Sequence, residues 1–454
     1  MPAPRAAAGA SGRGRPAAAG AAGGPAYLGL DFGTSGAQGI AVDAGGAVVA
    51  DVRVGYDRQS CDVWAGALDA VLAELPADVK RALAAVCLDG TSSTAVLVDR
   101  DAAGPDGPLE ALAPPFMYND AMPAAAVAAV GAIAPPRHTV RAATSTLCKL
   151  VAWYQSPVWR AARRPLLLHQ ADWLLARLHG LGADGEGRTD FNNCLKLGYD
   201  PGSGAYPAWL EAQPYAAALP RVVEAPGTPF GPIAAAAAER WGINPGCAVC
   251  AGTTDSIAAF LSAGVDEPGD AVTSLGSTLA IKLLSTKRVD NADFGIYSHK
   301  LREGLWLVGG ASNSGGAVLR QHFSDAELAE LSARIDPARP SGLDYYPLPG
   351  PGERFPVADP GMQPRMGPVP EDRAAFLHGL LEGIARIERD GFRKLAELGS
   401  TPVKRIATAG GGANNGPWCR MRERLSGVPV TVSRHKEAAY GVAVLASKQG
   451  AVAL

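Results

Sequence analysis

The sequence carries little net charge and no long apolar run. Its 42 basic and 44 acidic side chains give a formal charge of −2 and a pI of about 6.4. Such a balance provides neither a basic field for nucleic acid nor a polybasic face for anionic lipid. No stretch of about 20 uncharged apolar residues occurs, which argues against a membrane-spanning helix. We therefore expect small-molecule partners, with no nucleic acid and no membrane.

Cysteine and histidine are sparse as well. Seven cysteines are scattered over 454 residues, unlike the dense disulfide framework of a small secreted domain, and this favours a reducing compartment. Cys247 and Cys250 form a C-x-x-C pair that no second pair or histidine set accompanies, which favours a structural role over metal or redox chemistry. His169 also has no second histidine at metal-binding spacing, so we expect it to be packed or on the surface.

Acidic residues are missing from the first part of the chain. Residues 1–26 are dominated by Ala, Gly and Pro, and their only charges are Arg5, Arg13 and Arg15. A segment of this composition cannot pack a core. Two interpretations remain open: an organelle transit peptide, which contains arginine and few acids, or a disordered extension. The corresponding locations are the chloroplast (plastid stroma) and the cytoplasm.

The length of the chain predicts two domains. A chain of 454 residues exceeds what one hydrophobic core usually organises, and a cleft between two domains is a common ligand site. Strands alternate with helices, which indicates the α/β class. The segments starting at Tyr27 and Asp270 share a strand–turn–strand plan, so two domains of related design are expected. We place the domains at 27–264 and 265–454, after a tail at 1–26.

Periodicity gives a coarse map of the helices. Helical spacing is predicted near residues 65–85, 147–154 and 165–178, and a long amphipathic helix near 372–398. The Pro-rich segment 344–370 is predicted to be a long loop, and such loops are often functional.

The standard phosphate-binding motifs are absent. Neither G-x-x-x-x-G-K-[ST] nor a G-x-G-x-x-G that opens a helix occurs, which disfavours a P-loop enzyme or a Rossmann dehydrogenase. What remains are three turns rich in Gly, Ser and Thr, at residues 31–36, 275–278 and 409–415. Glycine lets the backbone approach a phosphate closely, and exposed N–H groups and hydroxyls donate to its oxygens.

The order of these motifs is more specific than any one of them. The chain contains LGLDFGTSG, then GTTDS, then SLGSTLAI, and finally AGGGANNGPW. Together with LDYYPLPGPGERFP and AAFLHGLLEGIARIERDGF, this order resembles the FGGY carbohydrate kinase family, within the superfamily of sugar kinases, heat-shock protein 70 and actin ATPases. The resemblance runs from about Tyr27 to Ala446. It implies two ribonuclease-H-like (actin-like ATPase) domains, with ATP and a sugar meeting in the cleft between them.

The resemblance also implies a nucleotide site. Asp31 matches the carboxylate that holds Mg²⁺, often through water, and Asp255 is assigned to the same ion; Mg²⁺ suits this role because it keeps several waters and bridges phosphates. Trp418 is assigned to stacking on the adenine, with core packing as the open alternative. The two phosphate loops and the nucleoside loop match at Gly33, Thr34, Ser35, Gly276, Ser277, Thr278, Gly411, Gly412 and Asn415.

Asp255 is the expected catalytic base. It follows an apolar strand in GTTDS, and the family's aspartate at this position accepts a proton from the attacking sugar hydroxyl. Phosphoryl transfer needs mostly positioning and charge neutralisation, with an Asp orienting the nucleophile. The alternative is that Asp255 or Ser256 merely caps the following helix.

A different set of residues is expected to bind the sugar. Asp120 resembles the family's W-x-D aspartate, with Tyr118 where tryptophan is common, and Ser92 and Ser256 are expected hydroxyl donors. The segment LDGTSST stands where xylulose kinases have a Met-His pair, and it looks like the plant and cyanobacterial D-ribulose kinase group. Lys149 keeps the family's K-x-x-W signature only in part, so both a solvated and a structural lysine remain open.

The resulting expectation is an ATP- and Mg²⁺-dependent ketopentose kinase. D-ribulose is the first choice of acceptor and D-xylulose the alternative, and the chain is expected to be a monomer or homodimer. A non-catalytic regulator that binds sugar or nucleotide is the alternative of another class. The retention of both Asp31 and Asp255 argues against it, because sugar binding does not require a base.

Overall fold

The computed structural model describes residues 24–101, 109–181 and 185–448. The strands are β1 (Ala26–Phe32), β2 (Gly36–Asp43), β3 (Val48–Gly55), β4 (Leu83–Gly90), β5 (Ala95–Asp99), β6 (Pro165–His169), β7 (Arg188–Asp190), β8 (Val222–Glu224), β9 (Pro229–Pro232), β10 (Ala248–Cys250), β11 (Thr253–Thr254), β12 (Asp270–Leu275), β13 (Leu279–Ser285), β14 (His299–Arg302), β15 (Leu305–Ser312), β16 (Arg405–Ala409) and β17 (Val430–Val432).

The α-helices lie between and after these strands. They are α1 (Cys61–Glu74), α2 (Ala77–Ala82), α3 (Ala124–Ile133), α4 (Thr146–Tyr154), α5 (Pro157–Ala161), α6 (Gln170–His179), α7 (Ala208–Glu211), α8 (Ala235–Trp241), α9 (Asp255–Leu261), α10 (Gly316–His322), α11 (Asp325–Ala333), α12 (Arg373–Glu397), α13 (Gly416–Ser426) and α14 (Ala438–Lys448). No helix among the described residues is long and apolar enough to cross a membrane.

The first sheet has the strand order β3-β2-β1-β4-β10-β9, and β11 also pairs with β4. β1, β2 and β3 are antiparallel, whereas β1 runs parallel to β4. Leu28, Leu30 and Phe32 of β1 are fully buried, because they lie on one face of the strand and pack in a core that includes residues of α1, while α14 covers the opposite face. A parallel pair at the centre brings the carboxyl ends of β1 and β4 to one edge of the sheet, where α/β proteins place their ligands.

The second sheet repeats this plan. Its order is β14-β15-β13-β12-β16-β17, with β12 antiparallel to β13 and parallel to β16. The prediction of two units with related strand–turn–strand openings is therefore confirmed, and so is the α/β class. The predicted limits at 264 and 265 stay a prediction, and the greater part of the tail at 1–26 lies outside the described residues.

The last helix returns to the first sheet. α14 packs on β1, β2, β4 and α9, although it follows the second sheet in the sequence. The contact is so close that a Cβ at Gly29 of β1 would lie 1.9 Å from the carbonyl oxygen of Ala439. Only glycine fits there, since a side chain would have to displace the helix backbone.

The helix predictions were right in part. The long helix predicted at 372–398 is confirmed by α12, whose 25 residues run from Arg373 to Glu397. The helix predicted at 65–85 is divided into α1 and α2 at Pro76, which cannot donate a backbone hydrogen bond. The helix predicted at 165–178 was wrong at its start, because Pro165–His169 form strand β6 against β5. A short apolar run does not distinguish a buried strand from a helix.

Candidate active site

Three aspartates lie at the carboxyl edge of the first sheet. Asp31 near the end of β1 is in register with Asp89 near the end of β4, so their side chains are neighbours on adjacent parallel strands. Thr253 of β11 pairs with Asp89 from the other side, and Asp255 follows two residues later at the start of α9. The structure thus brings together the two aspartates predicted to bind the ion and adds a third that the sequence analysis did not assign.

Asp89 is the most deeply buried of the three. Its side chain is fully buried. Among the residues that the structure describes, no N–H or hydroxyl group donates a hydrogen bond to either of its carboxyl oxygens. Burial together with the Asp31 and Asp255 charges raises the pKa of Asp89 well above its usual range. Burial also raises the pKa of Asp31, while its contact with Asp89 opposes that rise. Two adjacent carboxyl groups of this kind must share either a proton or a cation.

Asp255 is the first residue of α9, and Thr254 is the N-cap. Its Oδ1 accepts a hydrogen bond of 2.6 Å from the backbone N–H of Ser256. Burial raises the pKa of Asp255, whereas this hydrogen bond and the positive charges of Lys282 and Lys196 oppose the rise. The residue is half-buried. One of its carboxylate oxygens therefore stays available to a substrate hydroxyl.

A buried polar network fixes the segment that carries Asp255. Asn192 Nδ2 donates to Thr253 Oγ1 at 3.0 Å, and Asn193 Nδ2 donates to the Thr253 carbonyl at 3.1 Å. Asp190 holds both asparagines, since it accepts hydrogen bonds from their backbone N–H groups and from Asn193 Nδ2. Hydrogen bonds from side chains that are themselves fixed limit the movement of a catalytic group.

A cavity of about 790 Å³ lies against the second sheet. The second phosphate turn and the loop after β16 form one wall, and helices α10, α11 and α13 form the rest. Its volume falls in the range of small-molecule sites. Among the predicted nucleotide residues, those that line it are Gly276, Ser277, Gly411, Gly412, Asn415 and Trp418.

Close backbone contacts build this cavity. Gly276 O accepts from the backbone N–H of Gly316 at 2.9 Å, which joins the phosphate turn to the start of α10. Gly410 has φ +83°, and a Cβ there would lie 2.7 Å from the carbonyl oxygen of Leu275. The side-chain hydroxyl of Ser277 is held by Arg320 Nη2 at 2.8 Å. The turn is therefore fixed from two directions.

Trp418 and Asn415 lie at the start of α13. Asn415 is the N-cap, with its Oδ1 accepting from the Trp418 N–H at 3.0 Å, and its Nδ2 donates to Ser332 Oγ at 2.8 Å. The Trp418 ring is 2% exposed and its Nε1 donates to the Leu381 carbonyl. This is the core packing that the sequence analysis left open, so stacking on an adenine would require access to the small exposed part of the ring.

The first phosphate turn lies between β1 and β2. The Gly33 N–H donates to Gly36 O at 3.1 Å, and Tyr56 Oη donates to Gly33 O at 2.6 Å. Thr34 and Ser35 are exposed at its tip. The turn stands on the same edge as Asp31, and its contact with phosphate stays a prediction.

The predicted sugar residues are joined through Lys149. Its Nζ donates to the carbonyls of Ser93, the neighbour of Ser92, and of Met117 at 2.8 and 2.6 Å. Asp120 caps the same turn by accepting from the Met117 N–H at 2.7 Å. Lys149 is fully buried, so the solvated interpretation was wrong and the structural one is confirmed.

Burial also decides the roles of the histidine and the cysteine pair. His169 is fully buried with its Nδ1 2.7 Å from Asp172 Oδ2, so it is packed. Cys247 and Cys250 are free, buried thiols. Ser256, by contrast, is exposed beside Asp255, where its hydroxyl can meet a substrate.

The donor chemistry of the carboxylate edge fits a divalent cation. Mg²⁺ prefers oxygen ligands and is usually bound by one or two carboxylates plus water and phosphate. The unpartnered oxygens of Asp89 beside Asp31 are the feature that a cation would neutralise. Within the part of the chain that the structure describes, no three acidic, Cys or His side chains are close enough to form a metal cage by themselves.

Comparison with known proteins finds a family match for part of the chain and several similar kinases. Residues 271–449 match the C-terminal domain of the FGGY family of carbohydrate kinases. The chain is 29% identical to the xylulose kinase of Streptomyces coelicolor over 92% of this chain and 86% of that protein. It is 26% identical to the gluconokinase of Bacillus licheniformis, but that alignment spans 40% of this chain and 39% of the relative.

The fold comparison covers more of the chain. The crystal structure of xylulose kinase from Rhodospirillum rubrum superposes with a TM-score of 0.74 at 25% identity, over 94% of this chain and 91% of that one. This match confirms the predicted α/β fold of two actin-like ATPase domains, and the structure adds that both sheets are mixed. The match at residues 271–449 supports the predicted family for that part of the chain, and the D-ribulose kinase group stays a prediction.

Proposed function

We propose that this chain, whose second domain belongs to the FGGY family of carbohydrate kinases, transfers the γ-phosphoryl group of ATP to a ketopentose hydroxyl. The observation that carries the proposal is the meeting of Asp31, Asp89 and Asp255 at one sheet edge. The second domain adds a cavity of about 790 Å³ lined by Gly/Ser turns. A proton acceptor on one domain and a phosphate-binding turn on the other are the two parts that a sugar kinase needs.

In this reaction Asp255 accepts the proton of the attacking sugar hydroxyl. The sugar oxygen forms a bond to the γ-phosphorus as the bond from that phosphorus to the bridging oxygen of ADP breaks. The backbone N–H of Ser256 orients the Asp255 carboxylate through its 2.6 Å hydrogen bond, and Thr253 is fixed from behind by Asn193. A positioned base of this kind contributes about 10² to 10⁴ in rate.

Asp31 and Asp255 would hold Mg²⁺, directly or through water, with Asp89 adding negative charge behind Asp31. Mg²⁺, when bound, neutralises the charge on the phosphate oxygens. The exposed Thr34 and Ser35 and the turn at Gly276 and Ser277 donate hydrogen bonds to phosphate from opposite domains, and closure around them keeps water from the γ-phosphoryl group.

D-ribulose is the proposed acceptor, and D-xylulose is supported equally by the similarity to xylulose kinases. The two sugars differ in configuration at C3, so a site must separate them by one hydroxyl and its hydrogen-bond partner. Ser92 lies beside the segment held by Lys149 and Asp120. A mismatched hydroxyl in a hydrogen-bonding site is discriminated strongly.

A coupled ADP-release assay tests the proposal. The purified chain is given ATP, Mg²⁺ and D-ribulose, D-xylulose, L-ribulose or glycerol in turn. We expect kcat/KM for D-ribulose to exceed that for D-xylulose by at least about tenfold, equivalent to about 1.4 kcal/mol. A preference for D-xylulose would overturn the choice of sugar and leave the kinase intact. If no sugar stimulated ADP release, the non-catalytic regulator would become the better interpretation. Location in plastid or cytoplasm and the oligomeric state stay predictions.

A further inference from the structure

Two lysines from different domains lie beside the proposed base. Lys282, on β13 of the second sheet, extends to the start of α9, where its Nζ donates to the Ser256 carbonyl at 2.5 Å. Lys196 lies in a short 3-10 helix, Cys194–Leu197, that directly follows the asparagines bonded to Thr253. Both are half-buried. Lys282 thus contacts the residue after Asp255 directly, and Lys196 follows the asparagines that hold Thr253, two residues before Asp255.

The charges of these lysines act on the same groups. Burial raises the pKa of Asp255, and both lysines oppose that rise. Burial, assisted by the two lysine charges, lowers the pKa of His299 to about 3, so this imidazole is neutral beside them. Burial lowers the pKa of Lys282 to about 8, while the Asp255 charge opposes that effect. The positive charge at this place comes from the two lysines and not from the histidine.

The hydrogen bonds of Lys282 leave room for a ligand. An ammonium has three N–H donors. Within residues 24–101, 109–181 and 185–448, Lys282 uses one of them in its hydrogen bond to Ser256 O, so two donors remain available. By contrast, Lys149 uses two carbonyl acceptors and is fully buried. An internal lysine that only stabilises the fold is expected to look like Lys149.

We propose that Lys282 and Lys196 are further catalytic residues, which bind the phosphoryl group as it passes from ATP to the sugar. This inference rests on the proposed kinase function. The phosphoryl group carries negative charge on three equatorial oxygens during transfer, and it must pass Asp255, because the proton leaves the attacking oxygen there. The lysines keep their protons throughout and donate hydrogen bonds to those oxygens. Because one lysine comes from each domain, both halves of the chain contribute to the proposed site.

The test compares Lys282→Met, Lys196→Met and the double variant with the wild type. Removing one preorganised donor to a developing charge costs about 10² to 10³ in kcat. We expect kcat to fall about 10²-fold in Lys282→Met, with KM for ATP and for D-ribulose changed less than about threefold. Lys282→Arg, which keeps the charge, should recover at least about tenfold of the loss. Thermal melting of each variant shows whether it is folded.

Lys300→Met is the matched control. Lys300 lies on β14 of the second sheet and also donates to a carbonyl of the other half, Pro201 O, at 3.1 Å, but it pairs with Glu303 away from Asp255. We expect its turnover to stay within about threefold of the wild type. If Lys300→Met lost as much as Lys282→Met, a general contact between the domains would explain both, and the inference would be wrong.

A binding measurement separates this inference from the proposed function. Inorganic phosphate is titrated calorimetrically into each protein in the presence of Mg²⁺ and ADP. We expect the Kd for phosphate to rise at least about tenfold in the double variant and to stay unchanged in Lys300→Met. An equal Kd in the double variant and the wild type would overturn the inference, even if the wild type phosphorylates D-ribulose. If the wild type phosphorylates no sugar, the proposed function fails and the phosphate titration still decides the role of the lysines.

Discussion

The two sheets share a strand plan but present different chemistry at their carboxyl edges. In the first sheet the parallel central strands pair Asp31 with Asp89, whereas in the second the corresponding pair is Ser274 with Ala409. The first edge therefore concentrates negative charge, and the second offers small residues that allow close backbone approach. In the proposed function, the carboxylates of the first edge accept a proton and bind a cation, and the neutral turns of the second edge bind phosphate.

The largest expected effect is at the acidic edge. Asp255→Asn keeps the shape of the side chain but removes the proton acceptor. We expect sugar-dependent kcat to fall by at least about 10², with ATP affinity retained, because the proposed nucleotide cavity lies on the other domain and Asp31 is left to hold Mg²⁺. Steady-state kinetics and ATP titration measure the two properties. Asp57→Asn, an exposed aspartate of the same half, is the control, and near-normal turnover in Asp255→Asn would remove Asp255 from the mechanism.

Changes at the neutral edge of the second sheet should alter the binding of ATP. Gly410→Ala places a Cβ 2.7 Å from the Leu275 carbonyl at φ +83°, so the turn around the nucleotide cavity must shift. We expect KM for ATP to rise about tenfold, and the positive φ to cost about 1 kcal/mol of stability. Gly427→Ala, at φ +74° with nothing within 4 Å, is the control for the backbone cost. Equal KM values in both variants would disprove a special role for the Gly410 contact.

Asp89→Asn tests whether the neighbouring carboxyl groups lower the stability of the fold. The melting temperatures of the variant and the wild type are measured without Mg²⁺ at several pH values. Because the folded pKa of Asp89 is raised, the folded state binds the extra proton and wild-type stability falls as pH rises from about 4 towards that pKa. The variant has no carboxyl group at this position, so its stability does not fall in this way. We expect its Tm to exceed that of the wild type at neutral pH by about 2 to 4 °C, which corresponds to about 1 kcal/mol in a domain of this size, and by less at a pH of about 4.5.

The control for this measurement is another buried carboxylate. Burial alone would raise the pKa of Asp99, but hydrogen bonds from the backbone N–H groups of Asp101, Arg163 and Arg164 outweigh it and lower that pKa. Its contribution to stability is present above its unfolded pKa and is lost as pH falls, which is opposite to Asp89. Asp99→Asn should therefore lower Tm at neutral pH. A Tm change of the same sign in both variants would contradict the comparison.

The smallest effect is expected from a change outside both sheets, at the start of the chain. Deleting residues 1–25 removes a segment whose Gly and Ala composition gives it nothing to pack. Melting temperature and kinase activity should stay within error of the full chain. A clear drop in either would mean that the segment contributes to the fold.

The sequence was most informative where a local pattern carries the structure. The strand–turn–strand openings and α12 follow from alternation and helical periodicity, so they were found from single segments. The segment beginning at Pro165 was not, because PLLLH becomes a strand only through its pairing with β5. Its assignment depends on a partner that is distant along the chain, which no local pattern contains.

The sequence allowed some residues of the site to be predicted, but not the contacts between them. Asp31 and Asp255 were identified through motif order, and the structure sets them at one edge. Asp89 was passed over because LDGTSST was interpreted by its hydroxyls, and only the β1–β4 register makes Asp89 a neighbour of Asp31. A signal for Lys282 existed, a single lysine in the apolar strand LAIKLL. Its contact with Ser256 depends on how the two halves meet, which sequence spacing does not encode.

The return of α14 to the first sheet has a consequence for synthesis. Since α14 covers part of β1, β2 and β4, the face of the earliest strands stays open until the last helix leaves the ribosome. The first domain can begin to fold early in translation, but its packing is completed only after residues 438–448 have been made, because they form its final layer. A chain cut short before this helix would expose apolar strand surface, and chaperones bind such surface on growing chains.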